Sequence, residues 1–353
     1  MPLINPTILP ANRGLAPTAI DLFCGVGGLT VGLKAAGFDV IAGVEIDGLA
    51  VEGYVKNHPD VWVWHEDISH VEPNEILDKI GLKVGEVGLL AGCPPCEGFS
   101  RIRSRNGKRK IEDDRNNLIF EFQRFVDDLR PRTVMLENVP GLAVDHRFKE
   151  FCEHLNSLGY HLVYGIKNAA DYGVPQRRKR LILLGSLFER PEFPPPDHKR
   201  TTVYDAIGDL PKAGTSGDPL HDIMMRNSAR IMKLIQMIPP DGGSRRDLPE
   251  ELQLECHRRI DGFKDVYGRM KWRDVAPTIT GGCANPSKGR FLHPVEHRVI
   301  SLREAALLQT FPPDYYIPLR RGRYAAAELI GNALPPVMIS RFAEVAYKHV
   351  VAC

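Results

Sequence analysis

Two cysteines three positions apart, Cys93 and Cys96, sit in GCPPCEGFS between the apolar run VGLLAG and the basic stretch RIRSRNGKRK. That spacing suits a redox pair, half of a zinc site, or one nucleophile with a bystander. Zinc needs a second pair, and the chain has no other C-x-x-C and no C-x-x-H, so no metal is expected. A redox pair belongs just after the first strand of a small domain, whereas this one follows the fourth strand-like run. The plain alternative is two small buried hydrophobes. A third reading makes Cys96 the nucleophile, with Pro94 and Pro95 stiffening its approach and Cys93 filling the strand end.

Other chemistry-bearing residues end neighbouring apolar runs. MLENVPGL places Glu137 and Asn138 at a strand end, and YGVPQRRKRLILLGS carries Gln176, Arg178 and Arg180 at alternate positions. Residues two apart on an extended segment share a face, so these three are expected to converge on one polar ligand. DLFCGVGGLTVGL brings Gly25, Gly27 and Gly28 to a strand-to-helix turn, where missing side chains let a ligand approach the backbone. Twenty residues beyond Gly25, Glu45 ends the next strand, placed to accept hydrogen bonds from ribose hydroxyls. Asp67, in HEDISH, ends the third and is placed for an adenine amino group. Together they indicate an adenosine-type cofactor, and the spacing does not separate a nicotinamide dinucleotide from S-adenosylmethionine. Glycines serving only a tight turn, with Glu45 solvated, are the structural alternative.

The elements that must position these residues alternate. TAIDLF, DVIAGVEI, VGLLAG, RTVMLENV, HLVYGIKNA and RLILLGS read as strands, with helical patterns such as LTVGLKAAG and NNLIFEFQRFVDDLR between them. This rhythm predicts an α/β, doubly wound, mostly parallel sheet with ligands at the carboxyl ends of its strands. After PEFPPPD the rhythm stops, which predicts a domain boundary. The expected division is a catalytic domain over 1–195, a smaller irregular domain over 196–322, and a helical tail over 323–353 returning to the first domain. A chain of 353 residues, 43% of them apolar, suffices for such a core. Seven irregularly spaced cysteines argue for reduced thiols. No run approaches the ~18 apolar residues of a membrane span, and the N-terminus lacks a signal-peptide layout, so a cytoplasmic protein without a membrane partner is expected. The net charge of +2 says little. Its clustering at Arg101–Lys110 and Arg177–Arg180 says more. A solvated charge run explains either cluster alone, and two at strand edges point to an anionic partner.

With these residues in place the sequence resembles the DNA (cytosine-5)-methyltransferases. DLFCGVGGLTVGL, GCPPCEGFS, MLENVPGL, QRRKR, SLREAALLQTFP and LIGNALPP are similar to that family's motifs, in its order, over residues 18 to 347. The resemblance implies a Rossmann-like fold of the class I S-adenosylmethionine-dependent methyltransferases, with S-adenosylmethionine as cofactor and double-stranded DNA as substrate. It implies that the Cys96 thiolate adds to carbon 6 of a flipped-out cytosine, that Glu137 serves N3, that Arg180 holds O2 and that Arg178 braces the catalytic loop and DNA. Phe23, Gly25, Gly28, Leu29, Glu45, Ile46, Asp67, Ile68, Pro95, Leu118, Asn332 and Ala333 fall at the family's cofactor positions. The basic segment from Ser100 to Arg115 is expected to close over the base, with Ser100, Arg101 and Arg103 on phosphates. The domain over 196–322 matches the family's target-recognition region, where Arg245, Arg246, Arg258 and Arg259 are candidates for guanine contacts in the major groove. One residue departs from the pattern: Glu97 stands where Gln is usual. A carboxylate there opposes both thiolate formation and a polyanion.

The resemblance further implies a monomeric methylase partnered with a restriction endonuclease that acts on the same site. A solitary or phage enzyme, an RNA cytosine methyltransferase and a catalytically idle DNA-binding relative are the alternatives. A nicotinamide dehydrogenase accounts for the glycine turn and Glu45 but for none of the other motifs.

Overall fold

The computed structural model describes residues 3–7, 16–95, 117–249, 251, 253 and 265–352. They form two compact units. The first comprises Met1–Asn168, Lys179–Pro196 and Leu334–Cys353, and the second Ala169–Arg178 and Asp197–Ala333.

The first unit is built on one sheet. Its strands are β1 (Leu3–Ile4), β2 (Thr18–Leu22), β3 (Asp39–Glu45), β4 (Trp62–His65), β5 (Leu89–Gly92), β6 (Thr133–Asn138), β7 (His161–Asn168) and β8 (Lys179–Ser186), in the spatial order β1-β4-β3-β2-β5-β6-β8-β7. From β2 through β6 all pairings are parallel, while β1 and β8 run antiparallel to their neighbours. The central strands are continuous apolar runs because helices cover both faces. These helices are α1 (Gly28–Ala35), α2 (Gly48–Asn57), α3 (Pro73–Ile80), α4 (Leu118–Leu129) and α5 (His146–Ser157). Ile20, Leu22, Ile41, Phe122, Phe125 and Leu136 form the centre of the core. From β2 the chain moves outward to β3 and β4, then crosses to β5 on the other side of β2. The carboxyl ends of β2 and β5 therefore flank the topological switch point, where ligands bind in open α/β sheets.

The second unit has little regular structure: α6 (Val203–Ile207), α7 (Pro219–Asp222), α8 (Ala229–Met237), α9 (Leu302–Leu308) and α10 (Gly322–Asn332), with turns between. Leu234, Ile235, Ile238, Leu248 and Leu292 make a small apolar cluster. Segments without a strand ladder leave carbonyls to be satisfied by other donors. Arg269, fully buried, supplies them, donating to Ile238 O (3.0 Å), His293 O (3.0 Å) and Ile235 O (2.9 Å), and to Glu296 O. Arg298 grips both oxygens of buried Glu304 at 2.7 Å, and Glu304 closes a capping box with Ser301 at the start of α9.

The units are not the unbroken spans read from the sequence at 195 and 322. Ala169–Arg178 leaves the sheet after β7 and joins the second unit, where Arg177 N donates to Ala276 O (2.8 Å) and Ala276 N to Pro175 O (2.8 Å). Such pairing across a hundred residues leaves no local signal. Helix α10 also belongs to the second unit, and the return to the first begins at Leu334. There α11 (Pro336–Val351) packs on α1 so closely that a Cβ on Gly32 would lie 2.5 Å from Ile339 side-chain atoms. No helix among the described residues is long and apolar enough to cross a membrane.

Candidate active site

At the end of β2 the chain turns through Phe23 (φ 59°), Gly25 (φ 56°) and Gly27 (φ 101°) into α1. A Cβ at Gly25 would meet nothing within 4 Å, so glycine is required there by the left-handed backbone. Glu45, at the end of β3, holds this loop: its Oε2 accepts from Gly25 N (2.8 Å), and its Oε1 from Ile46 N (2.9 Å) and Asp47 N (2.8 Å). Burial pushes the Glu45 carboxyl up, and the backbone N–H groups oppose that. Beside it Ile46, 63% exposed, offers an apolar surface. Phe23 is half-buried, while Gly28 and Leu29 are buried in the first turn of α1. Beyond β4, Asp67 Oδ1 accepts from Ser69 N (3.0 Å) and Oγ (2.8 Å), which holds its carboxyl below the usual range. Ile68 is buried, its carbonyl accepting from Arg124 Nη2 at 2.7 Å. Leu118, at the start of α4, is half-buried against the core.

Below the loop lies Asp21, fully buried in β2. Thr30 Oγ1 donates to its Oδ2 (2.7 Å) and contacts Tyr54 OH (2.7 Å), while Oδ1 has no hydrogen-bond partner among the described residues. Burial pushes this carboxyl up to about 8. In an unfolded chain it would ionise near ~3.9. The folded protein therefore keeps a proton that the unfolded chain loses, and the stability Asp21 contributes falls as pH rises between these values and levels off above the upper one. Asp21→Asn keeps an acceptor for Thr30 and removes the titration. Between pH 6 and 8 the variant should gain roughly 2–3 kcal/mol on the native chain in unfolding free energy. Parallel stability profiles for the two chains would mean that Asp21 ionises normally.

At the ends of β5 and β6 the packing is tight, since a Cβ on Gly92 would sit 2.9 Å from Leu22 O. Asn138, buried, donates from Nδ2 to Pro94 O (3.0 Å) and accepts Val139 N at Oδ1 (2.7 Å), tying the Pro-Pro segment to β6. Glu137 is 2% exposed. Its Oε2 accepts from the Cys93 thiol at 2.8 Å. Its Oε1 lies 2.9 Å from Arg180 Nε, close enough for a charge pair, yet the N–H is not directed at it and Oε1 accepts no aligned hydrogen bond among the described residues. Arg180 is placed by the antiparallel β6–β8 register, in which Asn138 faces Leu181. Pro95 is exposed. Cys96, Glu97, Ser100, Arg101 and Arg103 lie outside the described residues.

Gln176, Arg178 and Arg180 are not successive residues of one strand face. Only Arg180 is on the strand, because β8 starts at Lys179, and the alternation argument fails over the irregular backbone before it. Gln176 donates to Leu308 O (3.2 Å) and Gln309 Oε1 (2.8 Å). Arg178, 1% exposed, donates to Ile279 O (3.0 Å), Gly331 O (3.1 Å) and Ala333 O (3.0 Å), within the second unit. A guanidinium held by the carbonyls at the end of α10 braces that unit. Asn332, exposed, and Ala333, half-buried, stand at the same helix end. Arg245 is 4% exposed, which removes it as a reader of DNA; Arg246 is exposed, and Arg258 and Arg259 lie outside the described residues. Sequence reasoning passed over Asp21, Thr30 and Tyr54, although an Asp inside the apolar run TAIDLF is a visible signal for a buried acid.

The sheet edge thus carries a glycine loop clamped by a carboxylate and, on the adjacent strands, a buried glutamate charge-paired with an arginine. Comparison with known proteins agrees. The family model for C-5 cytosine-specific DNA methylase matches residues 18–348. The type II methylase M.HgiDII of Herpetosiphon aurantiacus is 37% identical over 332 residues, covering 90% of this chain and 91% of its own. The type II methyltransferase M1.HphI of Haemophilus parahaemolyticus is 33% identical over 338 residues, covering 94% and 87%. Among solved structures, a candidate DNA modification methyltransferase encoded within an E. coli prophage matches with a TM-score of 0.67 at 26% identity, covering 94% of this chain and 99% of that one. Sheet, site and sequence similarity together place this chain in the C-5 cytosine-specific DNA methylase family, as a DNA cytosine-5 methyltransferase.

Proposed function

We propose that the enzyme flips a cytosine out of duplex DNA and methylates it by covalent catalysis through Cys96. Carbon 5 of cytosine is a poor nucleophile, and a thiolate adding at carbon 6 makes the ring electron-rich. The charge pushed into the ring collects at N3 and O2, where Glu137 and Arg180 engage it. The observation that carries this reading is the buried Glu137 carboxyl, charge-paired with Arg180 while Oε1 takes no aligned donor. Loss of the carbon 5 proton then breaks the carbon 6–sulfur bond and restores Cys96.

The residues at the glycine loop fit S-adenosylmethionine. The backbone at Gly25 is open to approach, Glu45 Oε2 retains a lone pair for a ribose hydroxyl while Oε1 is filled by Ile46 N and Asp47 N, Ile46 offers an apolar face to adenine, and Asp21 Oδ1 beneath is without a partner among the described residues. Phe23, Gly28, Leu29, Asp67, Ile68, Pro95, Leu118, Asn332 and Ala333 are the further contacts in this reading. Bound there, the cofactor supplies an activated methyl group to carbon 5. Ser100, Arg101 and Arg103 hold phosphates by the flipped base, and Arg246, Arg258 and Arg259 face the DNA from the target-recognition region. The relatives' names, type II methylases, support a protective role beside a restriction endonuclease of the same specificity; in this reading the enzyme acts as a monomer in the bacterial cytoplasm. Expression in a host lacking cytosine methylation tests the reading: 5-methylcytosine at one short motif is expected, and an unmethylated genome from folded protein would overturn it.

A further inference from the structure

Cys93 makes a contact that filling a strand end does not require. Strand β5 stops at Gly92, which pairs with Leu136 on β6, so Cys93 stands level with Glu137. Its backbone is fixed on both sides. Cys93 N donates to Leu22 O (3.4 Å), and the carbonyl of the next residue, Pro94, accepts from Asn138 Nδ2 (3.0 Å). The side chain consequently has little freedom, and its thiol donates to Glu137 Oε2 at 2.8 Å.

We propose that Cys93 is a positioning residue for the methyl transfer, holding Glu137 Oε2 so that Oε1 is the oxygen presented to the target cytosine. The proposal rests on the role of Glu137 given above. A carboxyl group turns easily about its terminal torsion, which has broad, two-fold minima. Arg180 supplies charge at Oε1 without an aligned hydrogen bond, and so does not fix the rotation by itself. The Cys93 thiol does fix it, because it gives Oε2 a donor that Oε1 lacks among the described residues. If the group turned over, a buried oxygen would lose that hydrogen bond, which is costly where water cannot replace it. A thiol suits this place because it is small and nearly apolar, and its weak donor adds no charge beside the nucleophile three residues beyond.

The test compares Cys93→Ala with Cys93→Ser at saturating DNA and S-adenosylmethionine. The alanine variant should lose about 10- to 150-fold in kcat, the range for one hydrogen bond to a carboxylate, with KM for both substrates within about threefold and Tm within a few degrees. Serine keeps a donor and should restore kcat to within about threefold of the native enzyme. Native kcat in the alanine variant, or equal losses in both variants, would overturn the proposal in favour of packing alone. Should the alanine variant fail to fold, the serine variant decides: a loss beyond about threefold overturns it. In a Glu137→Gln background, Cys93→Ala should cost less than about threefold more, since no carboxyl remains to orient. If Glu137→Gln by itself leaves kcat unchanged, it is the role of Glu137 that fails, a result separate from any effect of Cys93.

Discussion

Glu137→Gln should lower kcat at least about 100-fold, the scale of a lost acid–base group, while DNA and cofactor affinities stay within a few-fold. Glutamine keeps the size of the side chain and an oxygen for the Cys93 thiol. It loses the negative charge that pairs with Arg180 at 2.9 Å and cannot exchange a proton with the cytosine ring. Single-turnover methyl transfer, measured beside equilibrium binding of both substrates, separates the chemical step from assembly. A variant with nearly native kcat would remove Glu137 from the chemistry. A fall in DNA affinity with unchanged kcat would make it a binding group instead.

The second large effect falls on the fold. Arg178→Met retains the apolar stem and removes the donors that satisfy Ile279 O, Gly331 O and Ala333 O. Ala333 O keeps Gln309 Nε2 as a donor at 3.2 Å, but the loss of the Arg178 donors to Ile279 O and Gly331 O, buried at a crowded helix end, should cost roughly 3–5 kcal/mol and lower Tm by roughly 10 °C. The crowding is severe: a Cβ on Gly331 would lie 2.2 Å from the backbone of Thr280 and Gly281, so neighbouring groups have no room to shift and compensate. Arg178→Lys should rescue little, because one ammonium cannot reproduce a planar fork reaching three carbonyls. Thermal unfolding and limited proteolysis of the second unit measure this. A normally stable Arg178→Met with selectively depressed kcat would return Arg178 to the catalytic site.

The fates of these two residues show what was legible in the sequence. Glu137 closes a strand, and strands buried on both faces write themselves as apolar runs, so MLENV located both the strand and the acid at its end. TAIDLF and DVIAGVEI located the glycine loop and Glu45 in the same way. Arg178 stands one residue before β8, where the backbone is irregular and side-chain direction follows from contacts a hundred or more positions away. No local period encodes such contacts. Arg245 misled for a related reason: it is 4% exposed, and in a unit where even Arg269 is buried as a donor to carbonyls, basic character alone does not mark a surface. Cys93 was visible from the first line, but the partner of its thiol depends on the register of β5 against β6.

The central claim is that this chain methylates carbon 5 of cytosine in DNA through Cys96. The most direct measurement is to express the native chain and Cys96→Ala in a host lacking cytosine methylation and to sequence both genomes for 5-methylcytosine. The account predicts methylation at one short motif with the native chain and none with the variant. Methylation that persists in Cys96→Ala, or a native genome left unmethylated by folded protein, would contradict it.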